Sequence, residues 1–147
     1  MKGFKSRKVK SPSRGTKASA GLDFFIPEDL PWTSKALSPN EAVLIPSGIH
    51  LNIPDGTMLV ALEKSGLALK GCSVGARVVD SDYMGEIHIH VYNHSTTPLV
   101  LRAGEKVTQF VLVPIIIESI EWEADLSKVY AKDTERGVGG FGSTGLK

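Results

Sequence analysis

The chain has 147 residues, 41% of them hydrophobic, and a formal net charge of +1. That length suits one globular domain around one core and would cramp a second. No apolar run nears the ~20 residues that cross a membrane as a helix. The charged first residues are followed by no apolar stretch of a secretory leader, so no membrane association is expected. Cys72 is the only cysteine, which excludes an intrachain disulfide and a four-cysteine zinc site and fits a soluble, cytoplasmic protein.

In chain order, residues 1–17 come first, with seven Lys or Arg and no acidic residue. The remainder carries ten basic residues against sixteen acidic ones. A basic run can mark a nucleic-acid contact. Here no row of aromatic side chains is interleaved for base stacking, and an acidic body is a poor surface for DNA, so a solvated terminal segment is expected and stable nucleic-acid binding is not.

Residues 18–130 read as many short strands. Candidates are 43–45, 49–53, 58–62, 74–79, 86–92, 99–101, 107–113 and 115–121, all rich in β-branched residues. Turn signals separate them, among them Pro46-Ser47-Gly48, Pro54-Asp55-Gly56 and Ala103-Gly104. Ile87, Ile89 and Val91 alternate with His88, His90 and Tyr92, the period of a sheet with one face on a core. Ile116, Glu118, Ile120 and Trp122 alternate in the same way. Only Ser65 to Lys70 looks helical, for a turn or two. Such a pattern predicts an all-β sandwich or barrel. Residues 131–147 form a third region, a glycine-rich C-terminal arm in which one Arg, one Phe and a Ser-Thr pair supply chemistry suited to a nucleotide.

Several short motifs carry chemistry. Lys64-Ser65-Gly66 puts a cation, a hydroxyl and free backbone where a strand turns into a helix; this suits a phosphate, and equally a plain helix cap. Asp80-Ser81-Asp82-Tyr83 sits at the tip of an expected hairpin. Turns collect Asp for backbone reasons alone, but a Tyr there can carry a sugar ring and Asp80 can orient and deprotonate a water. His88 and His90 share a strand face, but no third metal ligand is evident nearby, so surface histidines are expected. Cys72 reads as a small buried hydrophobe, with no charge pattern that would activate a thiol. Gly137 to Gly142 matches G-x-G-x-x-G, yet no room remains for the helix and acidic residue that a dinucleotide site requires.

The order of these signals is more informative than any one of them. Ala20-Gly21-Leu22-Asp23, Lys64-Ser65-Gly66-Leu67-Ala68, Val79-Asp80-Ser81-Asp82-Tyr83-Met84-Gly85-Glu86-Ile87, Gly104-Glu105-Lys106-Val107-Thr108-Gln109-Phe110 and the segment from Arg136 to Gly145 resemble, in sequence, the five motifs of the trimeric dUTPase family. The resemblance implies a jelly-roll-like β-barrel, a homotrimer that exchanges C-terminal arms, and active sites shared between subunits. It implies hydrolysis of dUTP to dUMP and pyrophosphate, with Mg²⁺ on the triphosphate and Asp23 near its water shell. By the same resemblance, Asp80 activates the water and Tyr83 stacks under the deoxyribose. Backbone around Val78, Val79, Ile87 and His88 pairs with uracil. Lys64, Ser65, Gly66 and Gln109 meet the phosphates. Arg136 clamps the γ-phosphate, Phe141 stacks on uracil, and Gly142, Ser143 and Thr144 complete the arm's contacts.

Three departures from the family pattern stand out. Lys64 replaces an arginine and loses its bidentate fork. Arg77 stands where glycine is usual, and Met84 where arginine is frequent; Arg77 is expected to make contacts at the hairpin base or between subunits. The loop Pro27-Glu28-Asp29-Leu30-Pro31-Trp32 is long for its place and reads as a surface insertion or a partner site. Two other functions compete with the family reading. A dCTP deaminase shares the fold, and a silent barrel could bind nucleotide only to regulate a partner. The glycine-rich arm and the Asp-x-Asp-Tyr turn disfavour the deaminase, and the intact Asp80–Tyr83 turn argues against the silent barrel.

Overall fold

A computed structural model describes residues 1–140. The strands are β1 (Gly3–Lys5), β2 (Leu22–Phe25), β3 (Ser34–Leu37), β4 (Ala42–Leu51) and β5 (Thr57–Glu63), then β6 (Cys72–Gly75), β7 (Val78–Val79), β8 (Ile87–Asn93), β9 (Leu99–Arg102) and β10 (Lys106–Pro114). One short helix, α1 (Ser65–Ala68), follows β5. Two four-stranded sheets, ordered β1-β4-β8-β6 and β2-β10-β5-β7, and a β3-β9 ribbon hold all ten strands. All pairings are antiparallel. This is an all-β, jelly-roll-like fold, and among the described residues the ladders do not close into one barrel.

The alternation read from β8 is what the structure uses: Ile87, Ile89 and Val91 are buried while His88 is exposed. They meet Ile45 and Ile49 from β4, Phe24 from β2, Leu59 from β5 and Phe110 from β10 in one core. The rings of Phe24 and Phe110 lie 4.4 Å apart at 49°, a tilted contact that adds to their burial.

Departures from the sequence reading have local causes. The expected strands 43–45 and 49–53 are one strand, because Pro46-Ser47-Gly48 forms a bulge instead of a turn and the pairing with β8 resumes at Ile49. Gly48 sits at φ +72°, and a Cβ there would press on Arg7, so glycine suits the bend. The expected strand 74–79 breaks at Ala76, a non-glycine residue at φ +46°. Residues 1–17 are mostly exposed, as expected, but they are anchored and not a free tail. β1 pairs with β4, Val9 is buried, and Ser13 forms a bridge with Asp23. The long loop is tied down as well, since the Lys8 amide donates to Asp29 at 3.1 Å and Leu30 and Trp32 pack on the core.

The chain divides into two compact units, Met1–Ile116 and Ile117–Lys147. The second unit carries one 3₁₀ turn among its described residues, Leu126–Lys128, capped by Asp125 accepting from the Ser127 amide at 3.0 Å. The strand expected over 115–121 is absent. Beyond the Ile115 amide, which donates to the Gly56 carbonyl at 2.9 Å, its backbone groups find no strand partner among the described residues, and a lone strand is not stable. Ile120 and Trp122 are left 72% and 85% exposed.

Asn93, fully buried at the end of β8, pins two loops, the one that follows β3 and the one that follows β8. Its Nδ2 donates to the carbonyls of Leu37 and Thr97 at 2.9 Å each and of Ser38 at 3.2 Å, and its Oδ1 accepts from the Ser95 amide and hydroxyl. Truncation strands several buried polar groups at once. Asn93→Ala should therefore lower the unfolding free energy by on the order of 3 kcal/mol in urea titrations. A loss below about 1 kcal/mol would show that the loops hold without it.

Candidate active site

The sequence-predicted residues fall into two clusters. The first forms where β6 leaves its sheet. β6 pairs with β8 only from Cys72–Asn93 to Gly75–His90. Past Gly75 the chain turns at Ala76 and joins the other sheet as β7, paired with Leu59 and Val60 of β5. The expected hairpin is therefore splayed, because its two arms are hydrogen-bonded to different sheets. Val78 and Val79 on one side and the start of β8 on the other lack strand partners across the gap. Between them lies a cavity of about 170 Å³ lined by Ala76, Val78, Val79, Asp80, Tyr83, Ile87 and His88. Arg77 secures the departure point: its Nε donates to the Ala61 carbonyl at 2.9 Å, and its own carbonyl accepts from the Ala61 amide at 2.7 Å. This is a contact at the hairpin base.

At the mouth of that slot the Tyr83 hydroxyl donates to the Glu86 carbonyl at 2.9 Å. The ring lies against Gly85, where any Cβ would collide with it. Asp80 is exposed, and its carboxylate has no hydrogen-bond or ion-pair partner among the described residues. The slot floor is apolar, with Val79 and Ile87 buried.

The second cluster gathers around Asp23. Gln109 is the cross-strand partner of both Asp23 on β2 and Leu62 on β5. A bulge in β10 between Lys106 and Thr108 adds one residue. Residues three apart on a regular strand point to opposite faces, so this bulge brings Lys106 to the face that Gln109 and Asp23 share. Asp23 is 5% exposed and takes two ammonium groups, Lys64 Nζ at 2.5 Å and Lys106 Nζ at 2.8 Å. The Gln109 amide donates to the Glu63 carbonyl at 3.0 Å. A separate open cavity of about 490 Å³ lies here, lined by Lys64, Ser65, Gly66, Leu67, Lys70, Glu105 and Lys106. Ser65 and Gly66 begin α1, and first-turn amides have no acceptor within a helix. Three lysines face one glutamate around this cavity, which favours an anion.

Burial alone would raise the Asp23 pKa, but hydrogen bonds and charge from Lys106 and Lys64 outweigh it and hold the carboxyl below its usual 3.8. Glu63 is held below its usual 4.5, chiefly by the Val74 amide that donates to it at 3.0 Å, with burial opposing. Cys72 is buried, and burial, then the Glu63 charge, pushes its thiol up to about 11, so it is no nucleophile at neutral pH. His88 and His90 gather no further ligand, and among the described residues no group of three His, Cys, Asp or Glu could hold a metal. Arg136 lies in the second unit, its Nε donating to the Gly139 carbonyl at 3.0 Å. Phe141, Gly142, Ser143 and Thr144 lie outside the described residues.

The family model for dUTPase matches residues 7–145. The chain belongs to the dUTPase family. A deoxyuridine 5'-triphosphate nucleotidohydrolase from Yarrowia lipolytica is 36% identical over 146 residues, covering 97% of this chain and 87% of the relative. One of the same name from Pasteurella multocida is 38% identical over 138 residues, covering 91% and 86%. The fold is that of a Staphylococcus bacteriophage 80alpha dUTPase mutant solved with dUpNHpp, at a TM-score of 0.84 and 22% identity over 99% of this chain and 98% of that one. A mutant dUTPase from phage phi11 of S. aureus, described with a structural Mg(II) ion, aligns at a TM-score of 0.73 and 20% identity over 85% and 97%.

Against the dUTPase pattern, the residues that sequence reasoning left without a role are Lys70, Lys106 and Glu86. Lys106 stood inside a quoted motif, but only the bulge reveals which way it points. The depressed carboxyls set an acid limit. A carboxyl whose folded pKa is lowered stabilises the fold fully above its unfolded value and loses that contribution as pH falls through the folded one. Stability should thus hold above 4.5 and decline below 3.8 as Glu63 and Asp23 take up protons. Urea titrations across that range check this, and Asp23→Asn should remove part of the slope. A parent curve flat down to about pH 3 would contradict the assignment.

Proposed function

We propose that this chain hydrolyses dUTP to dUMP and pyrophosphate, keeping uracil out of DNA and supplying dUMP, by attack of water on the α-phosphorus. The observation that carries the reading is the slot between the diverging strands, with Asp80 and Tyr83 at its mouth. Its two open backbone edges suit a flat base with alternating donors and acceptors, as a strand edge suits another strand. Backbone of Val78, Val79, Ile87 and His88 reads uracil; the exocyclic amine of cytosine finds no match, and a 5-methyl group finds no room. The deoxyribose rests on the Tyr83 ring, which Gly85 and Glu86 hold close enough to reject a 2'-hydroxyl. Asp80, free of competing partners among the described residues, orients the water and accepts its proton.

The Asp23 cluster supplies the phosphate end. Lys64 and Lys106 face the triphosphate with their ammonium groups anchored, joined by Lys70, the Ser65 hydroxyl, the Ser65 and Gly66 amides and the second N–H of Gln109. Water attack drives negative charge onto the departing pyrophosphate, and these cations are placed where it accumulates. The arm completes the site: Arg136 clamps the γ-phosphate, Phe141 stacks over uracil, and Gly142, Ser143 and Thr144 add phosphate contacts. The donor set fits Mg²⁺ that arrives on the triphosphate with its own waters better than a protein cage. Bound there, the ion would neutralise phosphate charge, and Asp23, whose oxygens keep further lone pairs, would meet it only through water.

The two cavities share no lining residue. We take them as halves of a site completed between subunits of a homotrimer with exchanged arms, and the exposed apolar run at Ile117, Ile120 and Trp122 suits such an assembly.

With Mg²⁺, pyrophosphate should form from dUTP and not from dCTP, dTTP or UTP; a protein that leaves dUTP intact overturns the proposal. Asp80→Asn should lower kcat by about 10³-fold or more with KM little changed, since it removes the base and keeps the shape. Asp80→Asn and Lys64→Ala subunits, each nearly inactive alone, should regain about a quarter of parent activity when unfolded and reassembled in equal amounts, because sites then draw each half from different chains. No recovery in reassembled trimers would mean that both halves come from one chain.

A further inference from the structure

The loop that carries Asp80 and Tyr83 belongs to no strand between Asp80 and Glu86, yet Tyr83 must be held firmly to discriminate one oxygen on a sugar. Among the described residues its hydroxyl is fixed only by the Glu86 carbonyl, at 2.9 Å, which also takes the ring nitrogen Nδ1 of His88 at 2.9 Å. The direction of that carbonyl depends on what fixes Glu86, and its side chain answers this. One carboxylate oxygen accepts from the Gly48 amide at 2.6 Å and from Arg7 Nε at 3.0 Å. The pair is mostly shielded, with side chains 33% and 19% exposed, so it is worth more than a surface ion pair.

The anchors of Glu86 are themselves anchored. The Ser6 amide donates to the Gly48 carbonyl at 2.9 Å, and the Arg7 stem lies so close over Gly48 that a Cβ there would meet it at 2.7 Å. A second bridge runs in parallel. His50 places Nε2 3.3 Å from the Ser6 hydroxyl and Nδ1 3.5 Å from the Met84 carbonyl. One tautomer serves both, with Nδ1–H donating to Met84 and the Ser6 hydroxyl donating to Nε2. Residues 6 and 7 thus back the loop at Met84 and at Glu86. Behind them the segment is fixed by β1 on β4 and by the buried side chain of Val9.

We propose that the N-terminal segment is a strut for the substrate loop, in which Arg7, acting through Glu86, is a positioning residue for Tyr83 and hence for rejection of the 2'-hydroxyl. The last step rests on the role given to Tyr83 above; the strut itself does not. Arg7 touches no substrate and acts only by holding the carboxylate that orients the Glu86 carbonyl.

Two measurements on the full chain test this, with Arg7→Met, which keeps most of the aliphatic stem, and Arg7→Lys, which restores a charge. First, ring-labelled tyrosine is followed by NMR in nucleotide-free protein, with Tyr83 assigned through Tyr83→Phe. Arg7→Met should shift and broaden the Tyr83 ring signals, leave Tyr92 and Tyr130 unmoved, and keep a cooperative melt. Second, the ratio of kcat/KM for dUTP over UTP should fall about fivefold to tenfold in Arg7→Met, with KM for dUTP rising more than kcat falls. Arg7→Lys should recover most of both effects. Unchanged Tyr83 signals in a folded Arg7→Met protein overturn the strut, whether or not the parent hydrolyses dUTP. Moved signals with an unchanged ratio overturn the link to sugar discrimination. A parent that leaves dUTP intact overturns the proposed activity and leaves the NMR result decisive for the strut.

Discussion

The Asp23 carboxylate is almost sealed from water, and a buried charge is stable only when it is paired and hydrogen-bonded. Lys64 and Lys106 meet that need, and meeting it decides much else. Lys64 lies just beyond the end of β5 and Lys106 opens β10, so one carboxylate ties three strands into a single end of a sheet. Two ammonium groups on one carboxylate leave net positive charge facing outward, beside the open first turn of α1. The constraint that stabilises the fold here is the one that turns positive charge outward on this surface.

The other half depends on a refusal to pair. β6 and β8 run together for four residue pairs and then separate, because a left-handed turn at Ala76 carries the chain to the opposite sheet. Two strand edges are left facing each other across a gap. Arg77 offsets the loss of ladder bonds by clasping Ala61 through side chain and backbone. The glycine that is usual at position 77 could make only the backbone half of that clasp.

Most strands were legible because burial on one face leaves a period of two that no helix imitates; β8 is the clearest example. β1 was not legible, since Gly3-Phe4-Lys5 has no apolar alternation and takes its order entirely from pairing with β4. The bulge at Gly48 read as a turn because Pro-Ser-Gly is turn chemistry; its amide donates to the Glu86 carboxylate, a contact between residues 38 apart that exists only in the folded chain. Ile116 to Trp122 show the reverse error, a pattern with a strand's period and no neighbour to pair with among the described residues. In the site, Asp80 and Tyr83 stood out because their local order is rare. Lys106 and Glu86 did not, because their importance lies in contacts with Asp23 and Arg7, which no local window contains.

A slot walled by main-chain atoms has a genetic consequence. The Val78 side chain is 56% exposed, so it can change at little cost to the fold while the backbone edge beneath it stays the same. On the proposed reading, a base preference set by that edge resists single substitutions, and changing it requires rerouting the chain. Mutational tolerance and chemical selectivity, usually opposed, are compatible in such a wall.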